Sequence, residues 1–222
     1  MNIEAYQKIL AKVNSYNATL VAVSKTKPNE DLEALYHQGQ RVFGENKVQE
    51  MCNKHESLSG NYQWHMIGHL QRNKVKYMAN FVSLVHGVDS LQLLKELNKQ
   101  GAKNERVISC LLQVHIAKET TKFGFNYAEV EELISNNALI ELCNVEIIGL
   151  MGMATNTDDS GQVRSEFKKL NSFFENCRST MANSVFNVLS MGMSGDYEMA
   201  LDEGSNMVRI GSLIFGDRNY DN

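Results

Sequence analysis

The feature that most restricts how this chain can fold is a repeated alternation of short apolar runs with amphipathic stretches of helical length. The first run, Thr19-Leu-Val-Ala-Val-Ser-Lys25, is rich in Val and too short for a helix. After Pro28 comes a stretch in which Leu32, Leu35 and Tyr36 share one helical face before Gly39 stops it. Asn29 is placed to cap that helix, and Glu30 and Asp31 suit the positive end of its dipole. Similar runs recur at Arg41 to Gly44, Tyr62 to Ile67, Phe81 to His86, Val107 to His115, Val145 to Met151, Phe186 to Ser190 and Met207 to Gly211. Each leads into a helical pattern or a short turn. About eight strands alternating with helices is the number that closes a parallel (β/α)8 TIM barrel. An open doubly wound sheet uses the same alternation, and periodicity does not separate the two; the closed barrel is the expectation. A helix around Asn2 to Val13 is an addition before the first strand.

Composition narrows the choices further. Pro28 is the only proline and no stretch rich in Pro, Gly or Ser divides the chain, so residues 1–222 are expected to form one domain. With 22 basic against 26 acidic residues the net charge is −4, and no basic tail is present, which argues against a nucleic-acid partner. Cys52, Cys110, Cys143 and Cys177 lie far apart and fit reduced thiols; Cys52 and His55 have half of a zinc-like spacing, but no second ligand pair follows, so no metal is expected. Nothing approaches the roughly 18 apolar residues of a membrane span, and the N-terminus lacks a signal-peptide core. A soluble cytoplasmic protein with no membrane association is the expectation.

In a barrel the reactive groups sit at the carboxyl ends of the strands, and phosphates are often held by the loops after strands seven and eight. The seventh run ends in Ser190-Met-Gly-Met-Ser194-Gly195-Asp196 before a helix-like stretch from Tyr197 to Glu203. Glycines let backbone N–H groups approach an anion, and Ser194 can cap the helix and donate to a phosphate oxygen. The eighth run ends in Arg209-Ile-Gly211-Ser212, again Gly then hydroxyl. Together the two loops read as one phosphate cup. Neither a Walker sequence nor G-x-G-x-x-G occurs, which disfavours nucleotide chemistry. On an extended first strand Val21, Val23 and Lys25 share a face, so valines that point inward take the Lys25 ammonium with them. A partly desolvated lysine loses its proton more easily and attacks carbonyls. Lys27 has the same parity but lies beside Pro28, beyond the barrel, and Lys25 is preferred.

Leu20-Val-Ala-Val-Ser-Lys25-Thr-Lys-Pro28 resembles the lysine-bearing first strand of the YggS/PROSC family of pyridoxal 5′-phosphate (PLP) homeostasis proteins. Phe43-Gly-Glu-Asn46, Trp64-His65-Met-Ile-Gly68 with Leu70-Gln71, Ser190-Met-Gly-Met-Ser194 and Arg209-Ile-Gly-Ser-Leu-Ile-Phe-Gly216 extend the similarity, in order, over nearly the whole chain. The resemblance implies the fold of the alanine racemase N-terminal domain with PLP held as a Schiff base on Lys25. It also implies that Arg209 faces the pyridine nitrogen, that Ser194, Gly211 and Ser212 hold the phosphate, and that Asn46 lies beside the cofactor. Lys47 departs from the tyrosine the family often carries after Gly-Glu-Asn, which touches only the pocket rim.

An arginine at the ring nitrogen donates and cannot accept a proton, so it weakens PLP as an electron sink. A racemase also needs a base on each face of the substrate carbon; in full alanine racemases, as the family comparison implies, a tyrosine from a further domain of the partner subunit supplies the second, and this sequence stops just past the eighth strand. His65, His86 and His115 read as structural histidines, Glu45 as either functional or the start of a helix, and Met151, Met153, Met191 and Met193 as core packing. The expected function is therefore control of free PLP and vitamin B6 balance without turnover, by a monomer whose partners are PLP and PLP-dependent apoenzymes. A weak amino-acid racemase or lyase is the alternative, and a Schiff-base aldolase-type barrel without PLP is a second.

Overall fold

Strands buried on both sides need apolar residues at every position, and this is why the short runs are unbroken rather than alternating. The computed structural model describes residues 1–119, 123–135, 139, 141–181 and 185–216. Its strands are β1 (Thr19–Val23), β2 (Val42–Glu45), β3 (Gln63–Met66), β4 (Leu84–Val88), β5 (Ile108–Val114), β6 (Val145–Gly152), β7 (Val188–Ser190) and β8 (Met207–Ile210). They close in sequence order into a parallel barrel, with β1 bonded to β2 on one side and to β8 on the other. The open sheet is thereby excluded.

Helices α1 (Ile3–Ser15), α2 (Asn29–His37), α3 (Val48–Ser57), α4 (Val75–Met78), α5 (Leu91–Lys103), α6 (Tyr127–Ser135), α7 (Ser160–Met181), α8 (Tyr197–Asp202) and α9 (Ser212–Phe215) surround the strands. Successive side chains of a strand point to opposite faces, and two apolar cores follow. Val21, Leu84, Leu111, Met151 and Met207 fill the barrel interior. Leu20, Ala22, Phe43, Trp64 and Leu112 face outward into the layer made with the helices. Fully burying one such aliphatic side chain contributes roughly 1.5–3 kcal/mol. The added N-terminal helix is present: α1 buries Tyr6, Ile9 and Val13 at helical spacing, Asn2 accepts from the Ala5 amide at 2.9 Å, and the Asn2 amide donates to the Ile214 carbonyl at 2.8 Å.

Three local expectations need correction. The fourth strand begins at Leu84 rather than Phe81, because the Phe81 and Val82 amides turn back onto the Met78 carbonyl to end α4. Asn29 is the first residue of α2, not its cap; Pro28 takes the cap position and the Asn29 amide group donates to Ser57 Oγ at 2.8 Å. The first strand stops at Val23, which leaves Lys25 in the turn that follows. The zinc-like pair is otherwise engaged: Cys52 Sγ donates to the Tyr77 carbonyl, and the His55 ring stacks on Phe81 at 3.8 Å. Among the described residues no helix is long and apolar enough to cross a membrane.

Candidate functional site

Because all eight strands run the same way, the loops that leave their carboxyl ends gather at one mouth of the barrel. A cavity of about 300 Å³ opens there. Lys25 from the turn after β1, Asn46 after β2, Ser194 after β7, and Arg209, Gly211 and Ser212 from β8 and its exit all line it. All six residues singled out from the sequence thus share one cavity. Its wall also includes Val23, Lys27, Ile67, Met153, Met193, Gly195 and Gly216, so two of the four methionines read as core packing belong to the site. A larger depression of about 830 Å³ lies alongside α5, where Asp89 and Glu96 mix with Arg72, Lys95 and Lys99. The smaller cavity differs in sign: among the described residues three basic side chains line it and no acidic one does.

The β7 and β8 loops are joined as the cup requires. The Gly211 amide donates to Ser194 Oγ at 3.3 Å, and the Arg209 amide to the Gly192 carbonyl at 3.0 Å. Gly192 has φ +95°, and a Cβ there would stand 2.5 Å from the Ala200 methyl, so this loop strongly favours glycine. At Gly211 a Cβ would meet the Val23 carbonyl at 3.1 Å, which keeps the two strand exits close. Ser194 does not cap a helix: Asp196 holds the cap position of α8, and its carboxylate accepts from the Met193 amide at 2.6 Å. Ser212 opens α9, where the leading amides of a helical turn lack intrahelical acceptors. Lys27 Nζ donates to the carbonyls of Phe215 at 3.1 Å and Gly216 at 3.3 Å, fastening the turn after β1 to the end of α9.

Arg209 is 4% exposed and is held from below. Its guanidinium donates to Ser190 Oγ at 2.5 Å and to the Gly152 carbonyl at 3.1 Å. Ser190 Oγ is hydrogen-bonded to His86 Nδ1 at 3.1 Å, and His86 Nε2 to His65 Nδ1 at 3.0 Å. A four-residue polar chain thus runs through the barrel from the cavity into its wall. Burial holds His65 down at about 3 and keeps His86 well below the usual imidazole value, with His65 and Arg209 adding to the effect on His86. Both rings are neutral at physiological pH. Burial also lowers Arg209 to about 10, which still leaves it charged. The sequence reading of His65 and His86 as structural missed that they end on Arg209. His115 hydrogen-bonds to the Glu119 carbonyl at 2.9 Å and stays outside the chain. Glu45, left open between two roles, ends β2 fully buried against Lys54.

This donor set suits an anion that also presents a carbonyl: hydroxyls and amides at the cup, a lysine amine in reach of the same space, and a fixed guanidinium. The alanine racemase N-terminal domain matches residues 2–219 of the chain. The pyridoxal phosphate homeostasis protein of Aquifex aeolicus is 40% identical over 204 residues, which cover 91% of this chain and 88% of that one. The chain belongs to this family. PipY of Synechococcus elongatus, solved without PLP, superposes with a TM-score of 0.87 at 31% identity over 93% of this chain and 98% of its own; with PLP bound the TM-score is 0.81. Alanine racemase of Bartonella henselae, 17% identical with a TM-score of 0.72, shares the fold, and this homeostasis-family chain spans 62% of its length. The relatives are named as homeostasis proteins and not as enzymes, on a fold also used by PLP enzymes.

Proposed function

We propose that this chain binds pyridoxal 5′-phosphate in the β1–β8 cavity and serves intracellular PLP and vitamin B6 homeostasis, without catalytic turnover. The observation that carries the reading is the wall of the cavity: Lys25, Ser194, Arg209, Gly211 and Ser212 converge on it, and among the described residues no carboxylate lines it. A dianionic phosphate fits such a cup, since hydrogen bonds to a charged acceptor are each worth roughly 1.5–3 kcal/mol. When bound, PLP supplies an aldehyde that condenses reversibly with an amine, forming a C=N bond and releasing water. Lys25 provides that amine, Arg209 faces the ring nitrogen and donates to it, and Asn46 contacts the cofactor from the β2 exit.

Two features support a carrier over a racemase. Arg209 can only donate, so the chain does not protonate the ring nitrogen through a carboxylate partner. Among the described residues, the cavity wall offers besides Lys25 one other amine, Lys27, which is occupied with the Phe215 and Gly216 carbonyls, and no Tyr or His. A reversible linkage in a phosphate cup sequesters a reactive aldehyde and lets it go. The reading takes residues 1–222 as one cofactor-binding domain, a cytoplasmic monomer that hands PLP to apoenzymes.

Titration with PLP tests it. A visible absorption band is expected in the wild type and lost in Lys25→Ala, and borohydride reduction is expected to leave one adduct, mapped to Lys25. A protein that PLP leaves colourless, or an adduct on another side chain, would overturn the reading. Steady α-proton exchange with amino acids at ordinary enzyme rates of about 1–1000 per second would overturn the non-catalytic part.

A further inference from the structure

Beneath the turn that carries Lys25 lies a buried charge cluster that the cavity itself does not use. Lys54 of α3 is 5% exposed and Glu45 is fully buried. Lys54 Nζ donates to the Ser24 carbonyl at 2.7 Å, to Glu45 Oε1 at 2.8 Å and to Glu50 Oε1 at 2.7 Å, which uses all three ammonium protons. Ser24 Oγ donates to the same Glu45 oxygen at 2.6 Å. Glu50 Oε1 accepts from the Thr26 amide at 2.5 Å. The residues on both sides of Lys25 are therefore bonded to one cluster.

The turn needs such holding. The Lys27 amide donates to the Ser24 carbonyl at 3.0 Å, closing a β-turn over residues 24–27 whose third position, Thr26, has φ +64°. That position favours Gly or Asn, and a β-branched residue there is strained unless its surroundings fix it. The cluster is a poor choice for stability alone. Buried ion pairs cost desolvation that their attraction barely offsets, and here Glu45 Oε2 is buried without a hydrogen-bond partner. What the cluster does supply is geometry at residues 24 and 26.

We infer that the Glu45–Lys54–Glu50 cluster is a positioning device: it holds the strained Ser24–Lys27 turn so that the Lys25 amine is presented to the cavity, with Glu50 as the clamp on Thr26. This rests on Lys25 being the amine that condenses with PLP. The three residues act through the turn backbone and line no part of the cavity.

The test separates condensation from phosphate binding. Pyridoxine 5′-phosphate has the ring and phosphate of PLP but no aldehyde, so its affinity reports the cup alone. In Glu50→Ala, affinity for PLP is expected to fall about tenfold or more, because small displacements of a reacting group are costly. Affinity for pyridoxine 5′-phosphate is expected to hold within about twofold. Glu50→Gln keeps an oxygen for the Thr26 amide and is expected to recover most of the PLP affinity. Equal weakening of both ligands in Glu50→Ala, or unchanged PLP affinity, overturns the inference. Amide exchange in the wild-type protein gives a check that needs no variant to fold: the Thr26 amide is expected to exchange about 100-fold slower than a free peptide, and exchange at the free rate overturns the clamp. If wild-type protein binds pyridoxine 5′-phosphate and PLP alike, with no visible band, it is the functional reading that fails and not the clamp.

Discussion

Ser194 shows how much a single hydroxyl can do when two loops share it. Its oxygen accepts from the Gly211 amide, and its hydroxyl, which lines the cavity, keeps a proton to donate. Ser194→Ala removes one donor from the cup, at a cost of about 1.5–3 kcal/mol if the acceptor is a phosphate dianion, or roughly 10–100-fold in affinity. Titrations with PLP and with pyridoxal, which lacks the phosphate, check this: the loss should appear with PLP and not with pyridoxal. The residue scale is also where the sequence was most readable. Lys25, Ser194, Gly211 and Ser212, which line the cavity, could be picked out because the features that mark them are local, a strand exit or a Gly-hydroxyl pair. Lys54 gave no such signal: it sits in the last turn of α3 with the sequence neighbourhood of a solvated lysine, and only the fold brings it under Ser24.

Elements position these residues through their ends rather than their lengths. β7 has three residues and β8 four, yet their exits form most of the cup, because Gly192 lets the chain turn sharply enough for its carbonyl to receive the Arg209 amide. Gly192→Ala combines a positive φ with an overlap against Ala200, and is expected to destabilise the protein by about 1–3 kcal/mol. Urea unfolding would measure the loss; a variant as stable as the wild type would mean that α8 moves aside without cost. Strand identity was legible from apolar runs, but their limits were not. Phe81 and Val82 are as apolar as any strand residue and serve instead to close a turn, Phe81 beneath the His55 ring. The chain from His65 through His86 and Ser190 to Arg209 was illegible for a related reason: β3, β4, β7 and β8 each contribute one member, and no spacing links them.

The whole molecule responds to pH through that chain. His65 and His86 take up protons near pH 6.5 when the protein is unfolded, but stay neutral when folded. The unfolded state then binds more protons, so stability falls as pH is lowered. From pH 7 to 5.5 the two rings together should remove about 2 kcal/mol. Glu45, pushed up by burial, acts in the opposite sense at the acid end. Imidazole proton resonances separate the contributions: two of the six histidines should show no titration down to pH 5 in the folded protein, and a midpoint near 6.5 for either buried ring would contradict the arrangement.

The barrel's closing seam lies between β1 and β8, its first and last strands, and the cavity straddles it. A nascent chain that has emerged only through β7 already carries Lys25 but has neither the Arg209 guanidinium nor the β8 half of the cavity wall. Occupancy must therefore wait for completion of the ring, and a ligand lodged there ties together two segments that translation produced almost a full chain length apart.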